Sequence, residues 1–280
     1  EQGALPMSVD DAVTMMKPNY DNYCFSENKL ADCMFNSDMV LYCMKSLILH
    51  GVKPKEIVDP NIRTDFNKLA YLVRLDHGLG ENFSVIKEIA EQGEIVTEIV
   101  THFSALEMTD VGNFKSLLFY FGLLSIKGVD MMGRPILHIP NLVVREQLFN
   151  FLIQGYARHD IFKLDVNRLR TLFENMSFKG DWKPLFEFLA EAIREQSRIR
   201  EYIEGEAHIK GFLLAYLSMF RYYQLYPEYE MNKGFADFFF KPSPAAPVSP
   251  PYTYLLEVKY AKAGASEKEI RALADDAREQ

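Results

Sequence analysis

Two short stretches near the C-terminal end hold residues whose types and spacing could do hydrolytic chemistry. The segment "YLLEVKYAK", residues 254–262, reads as a buried strand. In a strand, residues two apart share a face, so Glu257 and Lys259 point the same way. Burying either charge is costly unless it is paired or bound to a metal. The pair is therefore either a solvated feature of an exposed edge or part of a site. Upstream, "GFADFFF" places Asp237 on one face with Phe235 and Phe239. Asp is depleted in strands. If the two strands are antiparallel neighbours, Asp237 and Glu257 approach closely and offer hard oxygen donors suited to Mg²⁺ or Mn²⁺. Lys259 then stands where it could orient or help deprotonate a metal-activated water and offset charge on a phosphoryl oxygen.

A third acid, Glu206, opens the apolar helical stretch "EAHIKGFLLAYL" before the sheet. If that helix crosses the sheet, its first turn reaches the same cluster. The competing reading is a surface pair, because Glu206 and Lys210 are spaced i, i+4. Glu-x-Lys by itself is a common pattern, and spacing alone leaves both readings open.

The elements that must position these residues follow from the rest of the chain. Its 280 residues are 48% hydrophobic with a formal net charge of −8. That suffices for one large core or several small ones. It argues against a surface coated with basic residues for nucleic acid, while leaving room for a small site that meets phosphate through metal ions. Residues 1–50 are helical around a polar loop, "KPNYDNYCFSENKLADC". Asn36 and Ser37 can cap the following helix, which stops at Gly51. Helical periodicity recurs over 66–75, 84–92 and 95–106. "NFKSLLFYFGLLSIKG" reads as a helix running into a strand, and "RPILHIPN" as its antiparallel partner across "GVDMMG". Pro140 and Asn141 start the next helix. Helices followed by a hairpin suggest a winged-helix-like arrangement, with Lys127, Arg134 and Arg145 its only nearby bases. Two helices follow over 165–203, with Trp182 opening the second. A third helix begins near Glu206, and three aromatic strands come after it, the last two separated by the proline-rich loop "KPSPAAPVSPP". The expected fold class is α+β: a mostly helical N-terminal region with the hairpin, then an α/β unit with a small mixed sheet.

Other chemistries lack a signature. Cys24, Cys33 and Cys43 match no zinc spacing and read as reduced core thiols of a cytoplasmic protein. No two histidines stand at ligand spacing. No apolar run reaches the roughly 18–20 residues of a membrane span, and no signal peptide is evident. G-x-S-x-G is absent. So is G-x-x-x-x-G-K-[ST], which leaves no nucleotide site in this chain.

"GFAD", a loop and then "YLLEVK" resemble the PD-(D/E)xK nuclease superfamily. More narrowly, the chain resembles a Bacteroidetes-type family in which an AAA-type ATPase region precedes a C-terminal PD-(D/E)xK nuclease domain. "YDNYCFS" resembles that family's Y-D-G-Y-x-F segment, with Asn22 in place of Gly. "MFNSDMVLYCM" resembles Y-N-P-x-S-V-L, "LLFYFGLLSIKG" resembles L-x-x-x-G-Y-L-T-I, and "IPNLVVREQLFNFL" resembles P-N-x-E-V-R. The resemblance implies a restriction-endonuclease-like unit over 165–280, short of a strand at its C-terminus. It implies a helical, winged-helix-like region over 51–164 and the last helices of an ATPase region over 1–50, the ATPase core lying before Glu1. It implies that Asp237, Glu257 and the main-chain carbonyl of Val258 bind Mg²⁺ or Mn²⁺. Lys259 would be the catalytic lysine, and Glu206 would assist with metal or water. Gln280 falls where the family's next helix carries a glutamine. Phe235 stands where that family often has Arg or Tyr.

Two functions are therefore expected in competition. One is a metal-dependent nuclease acting on DNA or RNA, coupled to an N-terminal ATPase that this chain lacks. The other is a non-catalytic interaction or regulatory module of such an ATPase. Neither reading predicts a membrane partner, and neither fixes an oligomeric state.

Overall fold

The computed structural model describes residues 5–54, 58–59, 81–158, 162–196, 205–231, 234–243, 246, 248–261 and 264–279. Over these residues the chain is mixed α+β, with a helical N-terminal region and two three-stranded antiparallel sheets. It forms two units, Glu1–Leu152 and Ile153–Gln280.

In the first unit, capping residues fix where the helices start. Ser8 accepts a hydrogen bond from the Asp11 amide ahead of α1 (Val9–Tyr20), and Asn36 accepts one from Met39 ahead of α2 (Ser37–His50). Each satisfies an amide that has no partner inside the helix. Gly51 ends α2 at φ 70°, as its position in the sequence predicts. α1 runs through Lys17 and Pro18, which the sequence reads as loop. The two helices bury Ala12, Met16, Tyr20, Met39, Cys43 and Leu47 together. Cys24 and Cys43 are the expected core thiols, whereas Cys33 is exposed on the connection. Asn22 holds φ 72°. That left-handed conformation is one that glycine adopts without strain and asparagine tolerates.

α3 (Glu81–Gln92) is followed by a correction to the sequence reading. Residues 95–106 do not form a helix. Gly93 takes φ 78°, ends α3 and turns the chain into β1 (Glu94–Val96), where Ile95 is buried opposite Leu137. A short 3₁₀ turn, Ala105–Glu107, comes later. Pairing with β3 buries Ile95 alone among the described apolar residues that suggested a helical period, while Val96 and Leu106 stay exposed; tertiary context decides the outcome. The stretch 66–75 lies outside the described residues. α4 (Val111–Tyr120) leads into β2 (Ser125–Val129), which pairs antiparallel with β3 (Pro135–His138); β1 lies on the other side of β3. Asp130 closes the hairpin by accepting from the amides of Met132 and Arg134. The three bases of this region are engaged: Lys127 with Glu94, Arg134 with Asp130, and Arg145 over the Phe149 ring. Asn141 accepts from Val144 at the start of α5 (Leu142–Arg158).

The second unit is built around aromatic packing. α6 (Val166–Lys179) is capped by Asp165 and ends at Gly180, φ 76°. A Cβ at Gly180 would meet the Tyr252 ring at 3.0 Å, so both the turn and the close approach call for glycine. α7 (Lys183–Glu195) starts at Trp182, and α8 (Glu206–Leu217) is almost wholly apolar. β4 (Tyr223–Met231), β5 (Gly234–Pro242) and β6 (Tyr254–Leu256) form the sheet in that order. The described strands are all antiparallel where the sequence suggests a mixed sheet. Two residues join β4 to β5, too few for the crossover that a parallel pair needs. β5 extends two residues into the proline-rich stretch, with Pro242 at its end, where a missing amide is tolerated. α9 (Glu267–Glu279) closes the described chain and buries none of its residues. Among the described residues, no helix is long and apolar enough to cross a membrane.

Candidate active site

β5 is the middle strand, and its two faces are treated differently. Ala236, Phe238 and Phe240 are buried on one face. Phe240 meets Tyr223 and Tyr254 edge-on, and Tyr223 in turn meets Phe173 of α6. The Tyr254 hydroxyl donates to the Met176 carbonyl at 2.7 Å. The opposite face carries Phe235, Asp237, Phe239 and Lys241. Phe235 is 52% exposed, yet the carboxylate two residues on is only 5% exposed. A carboxylate is thus buried on the face where its strand neighbour is open to solvent. Such burial is costly, so its partners matter.

The first partners come from β6. β5 and β6 pair at Phe238–Leu256, Phe239–Leu255 and Phe240–Tyr254. One step further, the same register sets Asp237 opposite Glu257. There the ladder gives way to side chains. The Val258 amide donates to Asp237 Oδ2 at 2.6 Å, and the Asp237 amide donates to Glu257 Oε2 at 3.3 Å. Each acid takes an amide from the other chain segment. The strand expected over 254–262 ends at Leu256, and beyond it the Val258 amide is held by the Asp237 carboxylate. Glu257 and Lys259 therefore stand just beyond the strand.

Lysines supply the remaining partners. From α8, Lys210 reaches Asp237 Oδ1, and its Nζ lies 3.1 Å from Glu206 Oε1. The i, i+4 pair read from the sequence is present, and the same ammonium continues to Asp237. Glu206 is linked to the carboxylate pair through Lys210. Lys259 donates to Glu257 Oε1 at 3.1 Å and to Asp276 Oδ2 of α9 at 3.2 Å. The hydrogen bond to Glu257, then that to Asp276, pushes the Lys259 pKa up and keeps the ammonium charged.

Sequence reasoning missed the contact of Lys210 with Asp237 and the part of Asp276 in this network. Lys210 was legible in one respect: a lone lysine inside "HIKGFLLAYL" needs anionic partners, and Asp237 joins Glu206 in that role. Asp276 sits among the charges of "ADDARE" with nothing to single it out. Gln280 lies outside the described residues.

The donor chemistry can be tested against a divalent ion. Asp237 and Glu257 bring hard carboxylate oxygens to adjacent segments, the set that Mg²⁺ or Mn²⁺ prefers. Among the described residues, no three His, Cys, Asp or Glu side chains gather as a metal-binding group. The residues fit an ion held by two carboxylates and completed by other oxygens.

Residues 204–280 match the PD-(D/E)XK nuclease superfamily. The matched stretch contains Glu206, Asp237, Glu257 and Lys259. No curated protein and no solved structure matches the chain. The PD-(D/E)XK match gives this region a nuclease-like character, with nucleic acid as the implied substrate class. PD-(D/E)XK nucleases generally use divalent metal ions.

Proposed function

We propose that the second unit is a metal-dependent phosphodiesterase that cuts nucleic acid, DNA in the first instance. The observation that carries this reading is the reciprocal pairing of Asp237 and Glu257 inside the stretch that matches a nuclease superfamily. Asp237 and Glu257 would hold Mg²⁺ or Mn²⁺, with the Val258 carbonyl as a third oxygen. When bound, such an ion supplies Lewis-acid polarisation of the phosphate and lowers the pKa of water. The chain's own residues do the rest. The Val258 amide helps to orient the Asp237 carboxylate by donating to Oδ2. Lys259 brings a positive charge beside Glu257, where it can offset charge developing on a phosphoryl oxygen. Asp276 restrains that ammonium from the other side. Glu206 assists from the start of α8. Coupling to an N-terminal ATPase region has only the sequence resemblance behind it.

A second reading keeps the unit as a non-catalytic scaffold, regulating an ATPase or docking partners. One observation favours it: an ammonium, that of Lys210, already neutralises Asp237. The same experiment separates the two. Purified chain is incubated with single- and double-stranded DNA and RNA in Mg²⁺, in Mn²⁺ and in chelator, alongside Asp237→Asn and Lys259→Ala. Cleavage that needs the ion and disappears in both variants supports the enzyme. A folded chain that cuts none of these substrates with either ion supports the scaffold.

A further inference from the structure

We propose that Lys210 is a counter-ion latch on this site. Its ammonium holds the Asp237 carboxylate in place and must leave it before a divalent cation binds there. The inference rests on the hydrolytic reading above and adds how that site is regulated.

The argument begins with α8. Phe212, Leu213, Leu214, Ala215, Tyr216 and Leu217 are all buried. The Lys210 side chain stands at the head of this run, 22% exposed. A lysine so placed needs anionic partners, and two carboxylates meet it. Glu206 lies one turn back on the same helix, and Asp237 lies across on β5. Asp237 Oδ2 already accepts the Val258 amide at 2.6 Å. That leaves Oδ1 as the oxygen facing a cation, and Lys210 sits on it. An ammonium and a metal ion compete for that oxygen. Removing a counter-ion from a buried carboxylate is normally destabilising. Here the exchange is tolerable from both sides. The incoming ion replaces the charge at Asp237, and the departing ammonium keeps Glu206 at 3.1 Å. A flexible four-carbon stem bearing a point charge suits such a two-position exchange better than a planar guanidinium would. Lys259, by contrast, pairs with Glu257 and with Asp276 of α9.

Two measurements on the full chain test the latch. In the first, Mn²⁺ is titrated calorimetrically into wild type and Lys210→Met. A binding state that is open only about a tenth of the time weakens apparent affinity roughly tenfold, so the variant should bind roughly tenfold more tightly. The variant leaves Asp237 without its counter-ion and could fold poorly. The second measurement therefore uses the wild type alone. Lysines are reductively methylated with and without saturating Mn²⁺, and Lys210 is followed by mass spectrometry. Its labelling should rise several-fold with Mn²⁺ as the ammonium leaves Asp237, while that of the exposed Lys183 stays constant. A wild type that binds Mn²⁺ with no change at Lys210, or a folded Lys210→Met that binds equally or more weakly, overturns the latch alone. A wild type that binds neither Mn²⁺ nor Mg²⁺ overturns the hydrolytic reading and the latch with it.

Discussion

The two sheets share a plan and differ in how each handles a titratable group on its middle strand. In the first unit that group is His138 on β3, opposite Glu94 on one side and Ser125 on the other. Burial, reinforced by the nearby Lys127, pushes its pKa below the ordinary 6.5. The imidazole escapes the cost of burial by staying neutral. In the second unit the group is Asp237, which is buried against an ammonium and an amide. The same problem, a polar group on a central strand, is solved by neutrality in one sheet and by counter-charge in the other. Neutrality makes a quiet strand. Counter-charge sets a carboxylate oxygen against a cation, the arrangement on which the proposed metal site draws.

The sharpest way to break this contrast is Asp237→Ala. If the second sheet is the working one, ion-dependent cleavage should fall roughly a thousandfold or more, measured as initial rate on a labelled oligonucleotide. Glu94→Ala, at the edge of the other sheet, should leave that rate unchanged. Equal losses from both would dissolve the distinction.

The next effect is on stability. Phe240 and Leu137 are both fully buried on middle strands. Phe240→Ala should cost about 3–5 kcal/mol and Leu137→Ala about 2–5 kcal/mol, each as a shift in urea midpoint. Because each strand belongs to its own unit, a fluorescence probe in one unit should report its own substitution more strongly than the other's.

The third prediction concerns pH. The unfolded chain binds a proton at His138 nearer pH 6.5, whereas the folded chain resists it to lower pH. Stability from this group is therefore fully present above 6.5 and is lost as pH falls through the folded value. His138→Gln should flatten that slope in a thermal melt of the first unit. An unchanged slope would assign it to other groups.

The smallest expected effect is at the rim. Lys127 and Glu94 form an ion pair with side chains 58% and 43% exposed. Lys127→Met should change stability by less than about 1 kcal/mol, and raised salt should erase the difference.

The sequence announced most elements where local chemistry decides them. Asn36 and Gly51 bracket α2 because a cap and a left-handed glycine act within one turn. The β2–β3 hairpin was legible because Asp130 and Gly133 supply its turn. Residues 95–106 were misread because apolar spacing alone does not exclude a strand start, and only the partner β3 draws Glu94–Val96 out of a helix. Asp237, Glu257 and Lys259 were visible as charges in strand-like surroundings. Their bonding was not. The end of β6 at Leu256, the reach of Lys210 from α8 and the hold of Asp276 on Lys259 all join residues far apart in the chain.

What the sequence determined by itself is the set of ionisable groups and the apolar runs that carry them, because residue type and period are local properties. Which cations bridge Asp237 to α8 and Glu257 to α9 was decided only by the tertiary structure. Coulombic partnership depends on separation in space, and that is fixed by the register of β5 with β6 and by the placing of α8 and α9.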